Sequence, residues 1–213
     1  MKRILVINPN SSTAVTEGLR EALAPFEGSV RFDCIEIAES PATIFTEEDV
    51  ARAGLGVAER IRQNPGADGY IIACFSDPGL DLARSITAKP VFGCQEAGIL
   101  TAMARADRFA IVALGPASVA RHMRRMRAMG VLGRLAGELD LGGVSAEDAG
   151  RSDAVYACTL AVGQELVRMG AGALVPGCAG FAPRRAQLER DLGIAVVDPV
   201  LAAAGMAMGA VLA

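Results

Sequence analysis

Two of the chain's five cysteines are the residues best placed to do chemistry. Cys34, Cys74, Cys94, Cys158 and Cys178 show no Cys-x-x-Cys spacing, and the only histidine is His122. Neither a disulfide framework nor a zinc site is indicated. Cys74 and Cys178 stand apart because their surroundings match. Each closes a short apolar run (GYIIAC, ALVPGC) and is followed by a stretch with small residues (CFSDPG, CAGFAP). Such a run reads as a buried strand. The residues after it leave backbone N–H groups beside the sulfur, which can favour thiolate or hold an oxyanion. An ordinary thiol has a pKa of about 8.5, close enough to neutrality for acid–base or nucleophilic work. Cys34, Cys94 and Cys158 read as small hydrophobes.

The elements that must position these thiols alternate along the whole chain. Strands are expected at Arg3 to Asn8, Val30 to Ile37, Gly69 to Cys74 and Val91 to Gly93. Helices are expected from Ser11 or Ser12, over Thr46 to Ile61, after Asp77-Pro78, and over Gln95 to Ala106. Thr46 with Asp49 has the form of a capping box, and Asp77-Pro78 that of an N-cap before a first-turn proline. The second half repeats the order. Strands fall at Phe109 to Leu114, weakly at Leu139 to Val144, at Ala173 to Pro176 and at Ala195 to Val197. Helices fall at Pro116 to Met129, Asp153 to Met169, Pro183 to Asp191 and Pro199 to Leu212. Regular alternation predicts an α/β fold of mostly parallel sheet flanked by helices.

The halves also match in detail. The segment holding Cys74 aligns with that holding Cys178, and KPVFGCQEAG with GIAVVDPVLAA, both at an offset of 104 residues. Duplication predicts two related halves, residues 1–97 and 98–198. In open parallel sheets ligands bind beyond the carboxyl ends of the strands, where both cysteines lie. Lobes packed face to face would bring the two thiols to one cleft from opposite sides.

Composition narrows the partners. The net charge is −3, Trp is absent and only two Tyr occur, so neither a basic nucleic-acid surface nor a base-stacking platform is expected. The basic stretch Arg121 to Arg127, His122 included, reads as a solvated helix face. The apolar stretch from Val196 to Ala213 is broken by Asp198 and Pro199 and is too short for a membrane span. The front of the chain lacks the pattern of a secretory signal, so a cytoplasmic protein acting on a small molecule is expected, with no membrane partner.

INPNSS at Ile7 to Ser12, IACFSDPG at Ile72 to Gly79, Gln95-Glu96-Ala97, PGCAGF at Pro176 to Phe181 and VVDP at Val196 to Pro199 together resemble the aspartate/glutamate/hydantoin racemase superfamily, in its hydantoin and allantoin racemase branch. The resemblance implies a cofactor-independent, metal-independent racemase built of two pseudo-symmetric lobes with the active site in the cleft between them, with helix 199–213 packed back on the first lobe and the protein assembled as a homo-oligomer. It assigns Cys74 and Cys178 as paired acid and base. One thiolate removes the proton from the stereogenic carbon, and the opposite thiol returns one to the other face. It further implies a substrate site drawing on Asn8, Thr43, Phe75, Ser76, Ala179 and Gly180. Asn8 and Ser76 also read as turn residues, and Phe75 as core. Glu96 reads as a residue that orients a loop.

The amino-acid racemases of this superfamily carry an Asn and a Thr after the first cysteine and a Thr with an acid or His after the second. Here Phe75-Ser76 and Ala179-Gly180 stand in those places. Fewer charged partners suit a neutral hydantoin-like ring. The alternatives are an amino-acid racemase, a maleate-type cis–trans isomerase, an arylmalonate-type decarboxylase, whose resemblance requires only the second cysteine so that the presence of both counts against it, and a non-catalytic binding protein.

Overall fold

The structure is a computed structural model that describes residues 1–26 and 28–213. In the first lobe, strands β1 (Lys2–Asn8), β2 (Val30–Glu36), β3 (Gly69–Ile72) and β4 (Val91–Gly93) alternate with helices α1 (Thr13–Leu23), α2 (Glu47–Gln63), α3 (Leu80–Ile86) and α4 (Cys94–Arg105). The second lobe holds β5 (Phe109–Ala113), α5 (Pro116–Met129), β6 (Leu135–Asp140), α6 (Ala146–Arg151), α7 (Asp153–Arg168), β7 (Ala173–Pro176), α8 (Arg185–Leu192) and β8 (Ala195–Val196). A last helix, α9 (Pro199–Leu212), follows. The sheets are parallel, ordered β2-β1-β3-β4 and β6-β5-β7-β8. The two lobes are thus one topology used twice. Their equivalent central pairings begin at Ile4–Gly69 and Phe109–Ala173.

Side-chain alternation on the central strands builds a core on each sheet face. Ile4 and Val6 face α1 and α9, while Leu5 and Ile7 face α2 and α3. Phe109 and Ile111 pack with α4 and α5, whereas Ala110 and Val112 pack with α7 and α8. Helix α9 is apolar almost throughout. It buries Val200, Ala203, Ala204, Ala207 and Val211 in the first lobe's core, and Asp198 caps its start by accepting from the Val200 and Leu201 N–H groups at 2.8 and 2.9 Å. Among the described residues no helix is long and apolar enough to cross a membrane.

Two local expectations fail for physical reasons. The weak strand lies at Leu135–Asp140, not at 139–144; it is a half-buried edge strand that lacks apolar alternation. The residues after it turn through Gly142 and Gly143, both at positive φ. The short α6 was not anticipated. Asp77 does not cap α3. Gly79, at φ 70, begins that helix, and the Asp77 carboxylate reaches across to cap α4, accepting from the N–H groups of Gln95 at 2.8 Å and Glu96 at 2.9 Å. Gly93 makes the reach possible: a Cβ there would lie 2.3 Å from the Asp77 carboxyl carbon.

Candidate active site

In each sheet the first strand sits between its successors, so the chain leaves it in opposite directions and opens a crevice at the strand carboxyl ends. Cys74 follows β3 by two residues and Cys178 follows β7 by two. Both line one cleft between the lobes. The loops that carry them cross over. Phe75 packs into the second lobe's core with Phe109, Ile111 and Met126, and Ala179 packs into the first lobe's core beside Val6 and Val200. Each thiol is therefore anchored by a neighbour buried in the opposite lobe.

The sulfurs have similar surroundings two residues on. The Gly180 N–H donates to Cys178 at 3.3 Å, and the Ser76 N–H and hydroxyl favour ionised Cys74. These groups favour thiolate, as the sequence suggests, but burial outweighs them. Burial, with the nearby Asp77 charge, pushes the Cys74 thiol up to about 11. Burial, with the charges of Cys74 and Asp198, pushes Cys178 up to about 12. At rest both are thiols.

Of the expected substrate contacts, Thr43, Phe75, Ser76 and Ala179 line the cleft with the two cysteines. Asn8 and Gly180 are not among its lining residues. Asn8 is fully buried, and its amide donates to Asn10 Oδ1, the Ser12 carbonyl and Thr16 Oγ1, which builds the turn after β1. That turn presents Asn10 to the cleft instead. Gly180 closes against α6, where a Cβ would lie 2.0 Å from the Ala146 carbonyl oxygen.

The basic stretch is not a solvated face throughout. Arg124 and Arg127 are exposed, but Arg121 and His122 are buried. Among the described residues the Arg121 guanidinium has no ion-pair partner. It donates to the Phe45 carbonyl at 2.9 Å, to Ser118 Oγ at 3.2 Å, to the Ala117 carbonyl at 3.2 Å and weakly to Ser76 Oγ at 3.4 Å. It thereby ties the loop that carries Thr43 to the Cys74 loop, and its charge opposes the upward push on Cys74. His122 also lines the cleft, and its Nδ1 lies 2.5 Å from Glu138 Oε1. The helical spacing of Ser118, His122 and Met126, with Arg121 alongside, is the signal that could have revealed this buried face.

Gln95 and Glu96 explain their motif structurally. The Gln95 amide donates to the His122 carbonyl at 3.2 Å, and Glu96 pairs with Arg84 and Arg125, each at 2.7 Å. Gly54, inside α2, lets that helix close on the Gly79 turn; a Cβ on it would meet the Gly79 nitrogen at 2.9 Å. Among the described residues no group of three or more His, Cys, Asp or Glu side chains is arranged to hold a metal.

A family model described as Asp/Glu/Hydantoin racemase matches residues 4–207. The chain is 38% identical to a hydantoin racemase of Paenarthrobacter aurescens over 213 residues, which cover 96% of this chain and 89% of the relative. It superposes on an allantoin racemase from Klebsiella pneumoniae with a TM-score of 0.94 and 31% identity, over 100% of this chain and 88% of the other. A glutamate racemase from Bacillus anthracis, at 15% identity and a TM-score of 0.67, covers 96% of this chain and 79% of its own; it shares the fold alone. Likeness that runs from β1 to α9, and is far higher to the ring racemases than to the amino-acid one, means that the chain belongs to the Asp/Glu/Hydantoin racemase family of isomerases, on its hydantoin and allantoin racemase branch.

Proposed function

We propose that the chain racemises a hydantoin-like ring, a 5-substituted hydantoin or allantoin, by proton transfer between carbon and two thiols, without a cofactor. The observation that carries this reading is the pair of sulfurs. One comes from each lobe, each has small or polar residues just after it that favour thiolate, and both line one cleft. A carbanion next to a carbonyl is planar and can be protonated on either face, so inversion requires an acid and a base on opposite sides. In one direction the Cys74 thiolate takes the proton while the Cys178 thiol supplies one; in the other direction the roles exchange. Ser76 and Gly180 stabilise whichever sulfur is ionised.

The lining supports a neutral ring over a free amino acid. Among the described residues that border the cleft there is no Asp, Glu, Lys or Arg to hold an ammonium or a carboxylate. A ring amide or imide carbonyl already acidifies its neighbouring C–H, so the charge can move onto oxygen without a metal or a cofactor.

The test is proton NMR in deuterated water on single-enantiomer 5-substituted hydantoins and allantoin. Wild-type protein should racemise and exchange the α-hydrogen of both enantiomers. A serine hydroxyl is a far weaker acid than a thiol, so Cys74→Ser should abolish inversion in both directions and still exchange one enantiomer through Cys178. Cys178→Ser should exchange only the other. Racemisation by either variant at a near wild-type rate would remove that cysteine from the mechanism.

A further inference from the structure

We infer that His122, braced by Glu138, donates a hydrogen bond from Nε2 to a carbonyl oxygen of the ring in the cleft and stabilises that oxygen as it gains enolate charge. This inference rests on the ring-racemase reading and adds to it the group that receives the developing charge. The Gly180 N–H, one of the groups that could have helped form an oxyanion hole, is turned onto the Cys178 sulfur, and the Ser76 N–H favours ionised Cys74. A side-chain donor in the lining is another way to serve the oxygen.

Of the other polar side chains around the cleft, Thr43 offers a hydroxyl and the rest are partly committed. Asn10 Oδ1 accepts from the Asn8 amide and from the Ser12 N–H, Ser118 Oγ accepts from Arg121, and the Ser76 hydroxyl favours ionised Cys74. His122 differs because a second residue is built to hold it. Its side chain and that of Glu138 are each 1% exposed, and the Nδ1–Oε1 contact is 2.5 Å. The Phe75 ring meets the imidazole edge-on, with centroids 4.9 Å apart and planes at 83°. The Gln95 amide fixes the backbone carbonyl of the same residue. With Nδ1 committed, Nε2 is the polar atom left to the imidazole. Among the described residues it has no protein hydrogen-bond partner, and its residue borders the cleft.

The proton count makes Nε2 a donor. A dyad sequestered from water favours zero net charge. Zero charge arises in three ways: an imidazolium against a carboxylate, a neutral carboxyl donating to Nδ1 of a neutral imidazole, or an Nδ1–H imidazole against a carboxyl protonated on Oε2; the third would leave a buried hydroxyl with no acceptor, because Oε2 has no partner, so the first two remain. In both, Nε2 carries hydrogen. Burial raises the carboxyl of Glu138, which opposes the anionic form of the dyad, and Glu138 Oε2 has no hydrogen-bond partner to stabilise a lone carboxylate. During the reaction the C–H bond breaks, its proton passes to one thiolate, and its electron pair moves onto the carbonyl oxygen. The Nε2–H bond is kept throughout. When the opposite thiol protonates the carbon, the pair returns and the oxygen is neutral again.

The chain's single histidine makes the test direct. Nitrogen-15 NMR of the labelled wild-type protein, with unsubstituted hydantoin as the probe, should show a protonated Nε2 whose signal moves on saturation. His122→Phe should lower kcat on a 5-substituted hydantoin about a hundredfold, with KM changed much less, as expected when an oxyanion donor is removed. His122→Gln, which offers an amide N–H at similar reach, should recover about tenfold of that loss. Circular dichroism and melting confirm that both variants fold. An imidazole that ignores saturating hydantoin, or a His122→Phe kcat within about threefold of wild type, overturns the assignment. The two readings fail separately. A wild-type protein that racemises while its imidazole ignores hydantoin defeats this inference alone. One that racemises no hydantoin or allantoin, yet shows the imidazole shift, defeats the racemase reading and leaves the donor role standing.

Discussion

Replacing Phe75 by Ala tests whether the thiol loops are held by the opposite lobes. Phe75 is 2% exposed and lies in the second lobe's core, although it belongs to the loop that follows β3 of the first. Truncating a buried Phe to Ala costs about 3–5 kcal/mol, from lost burial plus the cavity left behind. The ring also borders the cleft, so water can enter the space it vacates, and the lower end, about 3 kcal/mol, applies here. For a chain of this size that corresponds to a fall in Tm of about 6–12 °C. Phe75→Leu keeps most of the volume and should cost no more than about 1.5 kcal/mol. The assay is thermal unfolding by circular dichroism, paired with racemisation rates on the folded variants at a temperature well below the lower Tm. Phe75→Ala should also lose about tenfold or more in kcat, because Cys74 is its neighbour and a displacement near 1 Å can cost about a hundredfold. A Phe75→Ala protein that melts within about 2 °C of wild type would show that the ring is not a strut between lobes, and the account of how the thiols are positioned would fall with it.

Two further outcomes follow from the ionisation of buried groups. Burial lifts the thiols to about 11 and about 12, and the proposed mechanism needs one of them as thiolate, so kcat/KM for both enantiomers should rise about tenfold per pH unit between roughly pH 6 and 8; a flat profile over that window would refute the thiol-base proposal. Asp77 is pushed by burial from 3.8 unfolded to about 7 folded, so its contribution to stability is full below pH 3.8 and lost as pH rises to about 7. Asn cannot ionise, so relative to wild type Asp77→Asn should gain stability between roughly pH 4 and 7, by at most about 4 kcal/mol, and urea-denaturation curves whose difference does not change with pH would contradict this.

The sequence by itself determined most of the architecture. Apolar runs such as ILVI, YIIA and FAIVA have no stable place except the middle of a parallel sheet covered on both faces, and their alternation with capped amphipathic segments leaves few other arrangements. The matched runs before Cys74 and Cys178 marked both cysteines as strand-end residues because strand ends are set locally. The rest of the site was decided by tertiary structure. Asn8 and Asn10 are equally polar on paper; only the closure of the turn after β1 sends one inward to its own backbone and the other to the cleft. The segment RHMRRMR looks like a solvated face because charge usually stays in water, yet α5 packs where the second lobe meets the Cys74 loop. There Arg121 is satisfied by carbonyl and hydroxyl oxygens, and His122 by Glu138. Those partners are 16 to 76 residues away in sequence, apart from those within one helical turn. Asp77 likewise reads as the cap of the helix beside it and serves the next one, because a glycine 16 residues on leaves room for its carboxylate. Local sequence records which groups a segment prefers to bury; it does not record which distant groups will be there to make burying a polar one possible.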